Sequence, residues 1–194
     1  MKKPKLKTVI LDGIEMKDYL ISETGEVYRL HQDTKRSLSR LTSLKKQERN
    51  LLVTFNKKKR YVKLLKPGYH RNGYHRTVIV FPTNSFVYKY YCDPKSTERG
   101  HRHVVTHQLV MQTFKPFDEF LPKEINKEDY DKVPESMKIF IRQAFVINHI
   151  DHDKKNNNAN NLEWVTQKAN TFKAIKHYKG NFANSTKTKP EEEV

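Results

Sequence analysis

The stretch from Phe145 to Tyr178, FVINHIDHDKKNNNANNLEWVTQKANTFKAIKHY, constrains the chain most, because it reads in one order: strand, long polar loop, strand, helix. Phe145-Val146-Ile147 is a short apolar run rich in β-formers. It leads through Asn148-His149 into a loop crowded with Asp, Lys and Asn, residues that favour turns by hydrogen-bonding their own backbone. Leu162-Glu163-Trp164-Val165 is a second short strand. Thr166 is placed to cap a helix running to about Tyr178, in which Ala169, Phe172, Ala174 and Ile175 supply the apolar positions. A histidine and asparagines on a small ββα frame suggest a metal site.

The joint spacing is more specific than any one residue. Asn148-His149-Ile150-Asp151, then Asn156-Asn157, then Asn161-Leu162-Glu163-Trp164-Val165-Thr166, then Asn170, resembles the HNH endonuclease core without a gap. The resemblance is to the branch found in phage and intron-encoded homing nucleases. It implies a metal-dependent DNA endonuclease that cuts or nicks by hydrolysis. His149 would be the general base, taking a proton from water near neutral pH, where an imidazole is well matched. Asn148 and Asn170 would give oxygen ligands to one divalent cation. Two protein oxygens with phosphate and waters suit Mg2+ or Mn2+. Asn161, the second catalytic-site residue, would pin the loop so that His149 points correctly.

Within the core two positions bear on the resemblance, the first of them an Asn that is also frequent in the homing branch. Asn148 stands where one common variant has Asp, and a neutral amide binds a hard cation less strongly than a carboxylate. His152-Asp153 stands where Gly-Asn is frequent. Trp164 reads as core packing under the second strand, and Glu163 as a surface strand residue or one that touches metal-bound water.

Lys and Arg number 38 against 22 acids, a formal net charge of +16, which attracts polyanions. Charge alone admits membrane, RNA or DNA; given the nuclease resemblance, the expected partner is double-stranded DNA. No apolar run approaches the ~20 residues needed to cross a bilayer, and the basic N-terminus MKKPKLKTVI lacks a signal-peptide core. Cys92 is the only cysteine, which excludes an intrachain disulfide and a cysteine-rich zinc site. An intracellular, reducing location is the expectation, the host cytoplasm if the chain is phage-encoded.

Taken in order, Tyr19–Ser22 and Val27-Tyr28 around Gly25 form a hairpin pattern. From Lys35 to Lys66 the chain is strongly basic, and apolar residues at Leu51–Phe55, Tyr61, Val62 and Leu64 mark it as folded. Arg36, Arg40, Lys45, Lys46, Lys57, Lys58, Lys59 and Arg60 are the expected DNA-backbone contacts there, joined by Lys154 and Lys155 in the later loop. Asn72-Gly73 is a hairpin turn dipeptide, and Arg76–Phe81 and Phe86–Tyr91 are clear strands. His107-Gln108-Leu109-Val110, with Phe114, has helical spacing and resembles the helix preceding the core in this branch. His101, His103 and His107 invite a zinc reading that no cysteine or fourth ligand supports, and His107 is expected instead to set the helix start or pack beside the site. Residues 117–144 replace a short family linker with an acidic segment and a short helix starting at Pro134-Glu135; a buttress or a partner surface would both explain it.

The expected fold class is α+β: an N-terminal antiparallel sheet region (1–100) that positions DNA, an HNH ββα-metal core (101–180) with an insertion at 117–144, and a flexible tail (181–194). The expected function is a homing-type HNH endonuclease. The alternatives are a restriction- or packaging-associated HNH nuclease, and a non-cleaving nucleic-acid-binding protein on an HNH frame.

Overall fold

The computed structural model describes residues 5–30, 50–55, 58–82 and 99–185. β1 (Leu6–Leu11) and β2 (Ile14–Ser22) form an antiparallel hairpin about Asp12-Gly13, both at positive φ, 51° and 78°. A turn closed by the Gly25 N–H on the Ser22 carbonyl (3.0 Å) leads to β3 (Val27–Leu30), and Gly25 supplies the φ of 86° that this turn needs. β4 (Asn50–Phe55) and β5 (Lys58–Leu64) complete a five-stranded sheet of order β1-β2-β3-β5-β4. A second, three-stranded sheet joins β6 (Gly68–Tyr69), β7 (His75–Pro82) and β8 (Arg99–Val105), with Gly73 at φ 86° in its first turn.

Both sheets are antiparallel in every described pairing, and with the helices below they make the α+β class expected from the sequence. The boundary at residue 100 needs correcting, because β8 crosses it and runs to Val105. The β-branched pair Val104-Val105 continues the ladder, opposite Thr77 and Arg76. Arg36, Arg40, Lys45, Lys46 and Lys57, the strand expected over Phe86–Tyr91, and Cys92 lie outside the described residues. Lys58, Lys59 and Arg60 open β5.

α1 (Thr106–Phe114) packs against strands of both sheets. It buries Leu109, Val110, Met111, Thr113 and Phe114, each large apolar side chain contributing roughly 1.5–3 kcal/mol. Two hydrogen bonds fasten it to the first hairpin: the Ile10 N–H donates to Thr113 Oγ1 (3.0 Å) and the Asp12 N–H to Gln112 Oε1 (2.7 Å). One core cluster contains Val9, Leu11 and Ile21 of the first sheet, Ile79 and Val104 of the second, α1, and Leu162 of the downstream ββα unit. Sheet region and ββα unit therefore share a core.

The 117–144 segment holds α2 (Lys127–Lys132), capped by Asn126 Oδ1 on the N–H of Glu128 (2.8 Å), and α3 (Glu135–Gln143) behind Pro134. Its anchor is Phe117, buried with its ring 5.2 Å from Phe145 and 5.5 Å from Trp164, so the insertion buttresses both strands of the ββα unit. Asp118 holds its two ends together, accepting from Arg142 Nε (2.8 Å) and Nη2 (2.6 Å) and from the Tyr130 hydroxyl (2.5 Å). The Arg142 guanidinium, helped by Tyr130, keeps the Asp118 carboxyl below its ordinary value, while burial and the carboxylate push Tyr130 up to about 12. A lowered carboxylate contributes stability above its unfolded value, about pH 4, and loses it as pH falls through the folded value. Acid titration of thermal stability should show this loss in the wild type and not in Arg142→Gln. Because Asp118 is half exposed, the difference should stay within about 1 kcal/mol.

Candidate active site

β9 (Phe145–His149) and β10 (Leu162–Thr166) pair antiparallel, setting Asn148 opposite Glu163 and His149 opposite Leu162. The loop between them closes through a 3-10 turn at Ala159–Asn161. Thr166 Oγ1 accepts from the Ala169 N–H (3.2 Å), the expected cap, and starts α4 (Gln167–Ser185). That helix passes Tyr178 and takes in residues 181–185, which corrects the start of the tail. Gly180 costs a helix about 1 kcal/mol but does not break it, and the next proline is Pro190.

Asn161 is the pin of the loop. Its Nδ2 donates to Asp151 Oδ1 (2.8 Å) and to the Asn156 carbonyl (2.9 Å), and its Oδ1 accepts from the Asp151 N–H (3.1 Å). Asp151 also receives Asn156 Nδ2 (2.7 Å) and the Asp153 N–H (2.9 Å), and the Asn156 and Asn161 amides hold its carboxyl below the ordinary range. His152 sits at φ 62°, a left-handed conformation natural to glycine, so the turn survives the replacement at this position. The strained residue stacks its ring on His177 of α4, 4.1 Å between centroids and 28° between planes.

His149 is 4% exposed, with Nε2 3.4 Å from Asn157 Oδ1. Asn157 is itself buried and donates Nδ2 to the Lys155 carbonyl (3.0 Å), so its oxygen is the atom that faces the imidazole. A carbonyl oxygen there selects the tautomer with the proton on Nε2 and leaves Nδ1 with a free lone pair. The His149 ring lies edge-on to His107 (5.1 Å, 82°) and tilted against Tyr74 (5.8 Å, 39°). Burial, reinforced by His149, pushes His107 down to about 3, so it stays neutral beside the site. Burial also lowers His149, against the opposing pull of Asn157, Asp151 and Asp153. A lowered imidazole is unprotonated at neutral pH, the form a base requires.

Asn148 projects from the other side of β9, as successive strand residues must. Its Nδ2 donates to Glu163 Oε1 (2.8 Å), which also accepts from Lys173 Nζ (2.5 Å). Burial raises Glu163, but Lys173 and Asn148 together outweigh it and leave the carboxyl lowered and ionised. With its nitrogen committed to Glu163, Asn148 keeps Oδ1 available to a cation. Asn170 lies one turn before Lys173 on α4 and shares its face, toward the same side of the strand pair. Glu163, read from sequence as a surface residue, is thus the group that orients Asn148.

The structure gathers His149, Asn157 and Asn161 around one loop and joins Asn148 to the α4 face bearing Asn170. Lys154 and Lys155 are both exposed, and Lys154 donates to the Asn72 carbonyl (3.1 Å) and lies 5.0 Å from the Tyr74 ring centre. His101 and His103 pair on β8, 6.0 Å apart, while His107 turns to His149; among the described residues no cluster of three or more His, Cys, Asp or Glu could hold a metal. Sequence reasoning missed Tyr74 and His75, which a hairpin turn delivers to the site. Their only sequence signal was the Asn72-Gly73 turn itself.

The turn at Glu23–Gly25 also touches the loop. The Ala159 N–H donates to the Glu23 carbonyl (2.8 Å), and a Cβ on Gly25 would stand 2.8 Å from the Asn157 Cβ. Gly25→Ala therefore strains a positive-φ turn and pushes on the residue that orients His149. It should cost about 1–3 kcal/mol in chemical denaturation and slow any reaction that depends on His149.

Residues 133–171 match the model of the HNH endonuclease family, whose span covers α3, β9, the loop, β10 and the start of α4. The match to this family is confined to the ββα segment and the helix before it. The chain is also similar to a solved structure described as DNA binding and cleavage by the HNH homing endonuclease I-HmuI, at 21% identity and a TM-score of 0.44. That similarity covers 89% of this chain and 59% of the other. No curated protein matches the sequence. Among the described residues no helix is long and apolar enough to cross a membrane.

Proposed function

We propose that the protein is a DNA endonuclease of the homing type that hydrolyses a phosphodiester with His149 as general base and one divalent cation. The observation that carries this reading is the Asn157 oxygen at His149 Nε2, in a site that keeps the imidazole neutral. Nδ1 is then the atom that takes a proton from the attacking water. The Asn161 network holds the loop against thermal motion, so the nitrogen keeps its aim.

HNH nucleases generally use a divalent metal. The donor set fits a hard ion: Asn148 Oδ1, freed by the Glu163 contact, and the Asn170 amide, with Mg2+ or Mn2+ the ions such oxygen donors suit. When bound, the cation would neutralise charge building on the phosphate and assist the leaving oxygen. Lys58, Lys59 and Arg60 on β5, with Lys154 and Lys155 in the loop, are the basic groups proposed to meet the backbone of double-stranded DNA. Incubation with supercoiled plasmid and phage genomic DNA in Mg2+ or Mn2+ should give nicked or cut product that EDTA abolishes. Undiminished cleavage in EDTA would rule out the cation.

A further inference from the structure

The hydrogen bonding around Asn157 extends beyond the family segment. Its Nδ2 carries two hydrogens. One reaches the Lys155 carbonyl at 3.0 Å, and the other faces His75 Nδ1 at 3.4 Å. His75 is the first residue of β7, in the second sheet, and its ring packs edge-on against Tyr69 at 5.2 Å. The Nε2 of His75 is buried and has no partner among the described residues. A neutral ring whose Nδ1 accepts must carry its proton on Nε2, so this histidine holds a buried donor unsatisfied. An apolar ring would fill the same space without that penalty. What the imidazole adds is the acceptor at Nδ1.

We propose that His75 is a positioning residue for His149, acting through Asn157. With Lys155 and His75 taking both amide hydrogens, Asn157 can present only its oxygen to His149. The 3.4 Å separations are long for hydrogen bonds, as in many sites that tighten when substrate binds. The sheet region thereby selects which nitrogen of His149 is free, and the active site is completed by a strand outside residues 133–171. The kinetic consequence rests on the nuclease reading above; the geometric one does not.

The test is NMR of the full-length, metal-free chain labelled with 15N-histidine, at about pH 8 where an imidazole is neutral. His149 is assigned by the signal lost in His149→Gln. The wild type should show His149 with its proton on Nε2. His75→Phe keeps a ring against Tyr69 and removes the acceptor. It should shift the His149 tautomer ratio several-fold and lower kcat about tenfold with KM unchanged. His75→Asn restores an acceptor where Nδ1 stood and should return both readouts to within about twofold of wild type. If the phenylalanine variant does not fold, His75→Leu takes its place. A folded variant whose His149 keeps the wild-type tautomer overturns the proposal, whether or not DNA is cut. A tautomer shift in a protein whose wild type cuts no DNA supports the positioning role and fails the nuclease reading alone.

Discussion

His149→Ala should lower the rate of DNA cleavage by about 10²–10⁴-fold, the usual contribution of a positioned general base, while DNA affinity stays near that of the wild type. The split follows from where the residue sits. His149 is almost wholly buried, between Asn157 on one side and the rings of His107 and Tyr74 on the other. It adds little surface to an interface, whereas the basic groups proposed to hold DNA lie on β5 and at Lys154 and Lys155. The His149 imidazole also packs, so the alanine variant should lose some thermal stability. His149→Gln, which fills more of the space without an imidazole base, separates that loss from the chemistry. Single-turnover cleavage at saturating enzyme, read beside a mobility-shift titration, measures both quantities.

Asn161→Asp should be the second most damaging change. The wild-type amide donates to Asp151 Oδ1 at 2.8 Å, and the substitution sets a second carboxylate against the first at that distance. Asp151 is already ionised and lowered by its amide partners, so the new charge has no protonated neighbour to bond. The donor to the Asn156 carbonyl is lost as well, and the loop that aims His149 loses its crosslinks. Cleavage should fall about 10–100-fold, the range for groups that orient a catalytic residue. Asn161→Ala, which removes the same bonds without adding charge, should destabilise the fold by about 1–3 kcal/mol, and the Asp variant by more. Differential scanning fluorimetry gives the ranking, and cleavage kinetics give the functional loss.

The ββα unit was legible in the sequence because everything that defines it is local. Phe145–Ile147 and Leu162–Val165 are apolar islands long enough for strands, Thr166 caps the helix, and Asn161 bonds within its own loop. The β2–β3 and β6–β7 turns were legible for the same reason, since Gly25 and Gly73 supply the positive φ. Two boundaries were misread. The boundary set at residue 100 cuts through β8, whose last residues Val104-Val105 are strand through pairing with β7. Residues beyond Tyr178 carry glycine and asparagine, which weaken a helix without ending it. What no pattern could supply was the wall around His149. Tyr74 and His75 come from the β6–β7 hairpin, and only the shared core that packs α1 between the sheets and β10 brings them to the loop beside His107. The link from Glu163 to Asn148 was not legible because it depends on Lys173, one helix away.

Chemical rescue tests the central claim most directly. His149→Gly leaves a buried space beside Asn157 in which free imidazole can take the place of the missing ring. If His149 is the general base, the variant should be nearly inactive on its DNA with Mg2+ or Mn2+, and added imidazole should restore cleavage along a saturating curve, faster as more of the buffer is unprotonated. A folded, DNA-binding His149→Gly variant that cuts at the wild-type rate without imidazole would contradict the account.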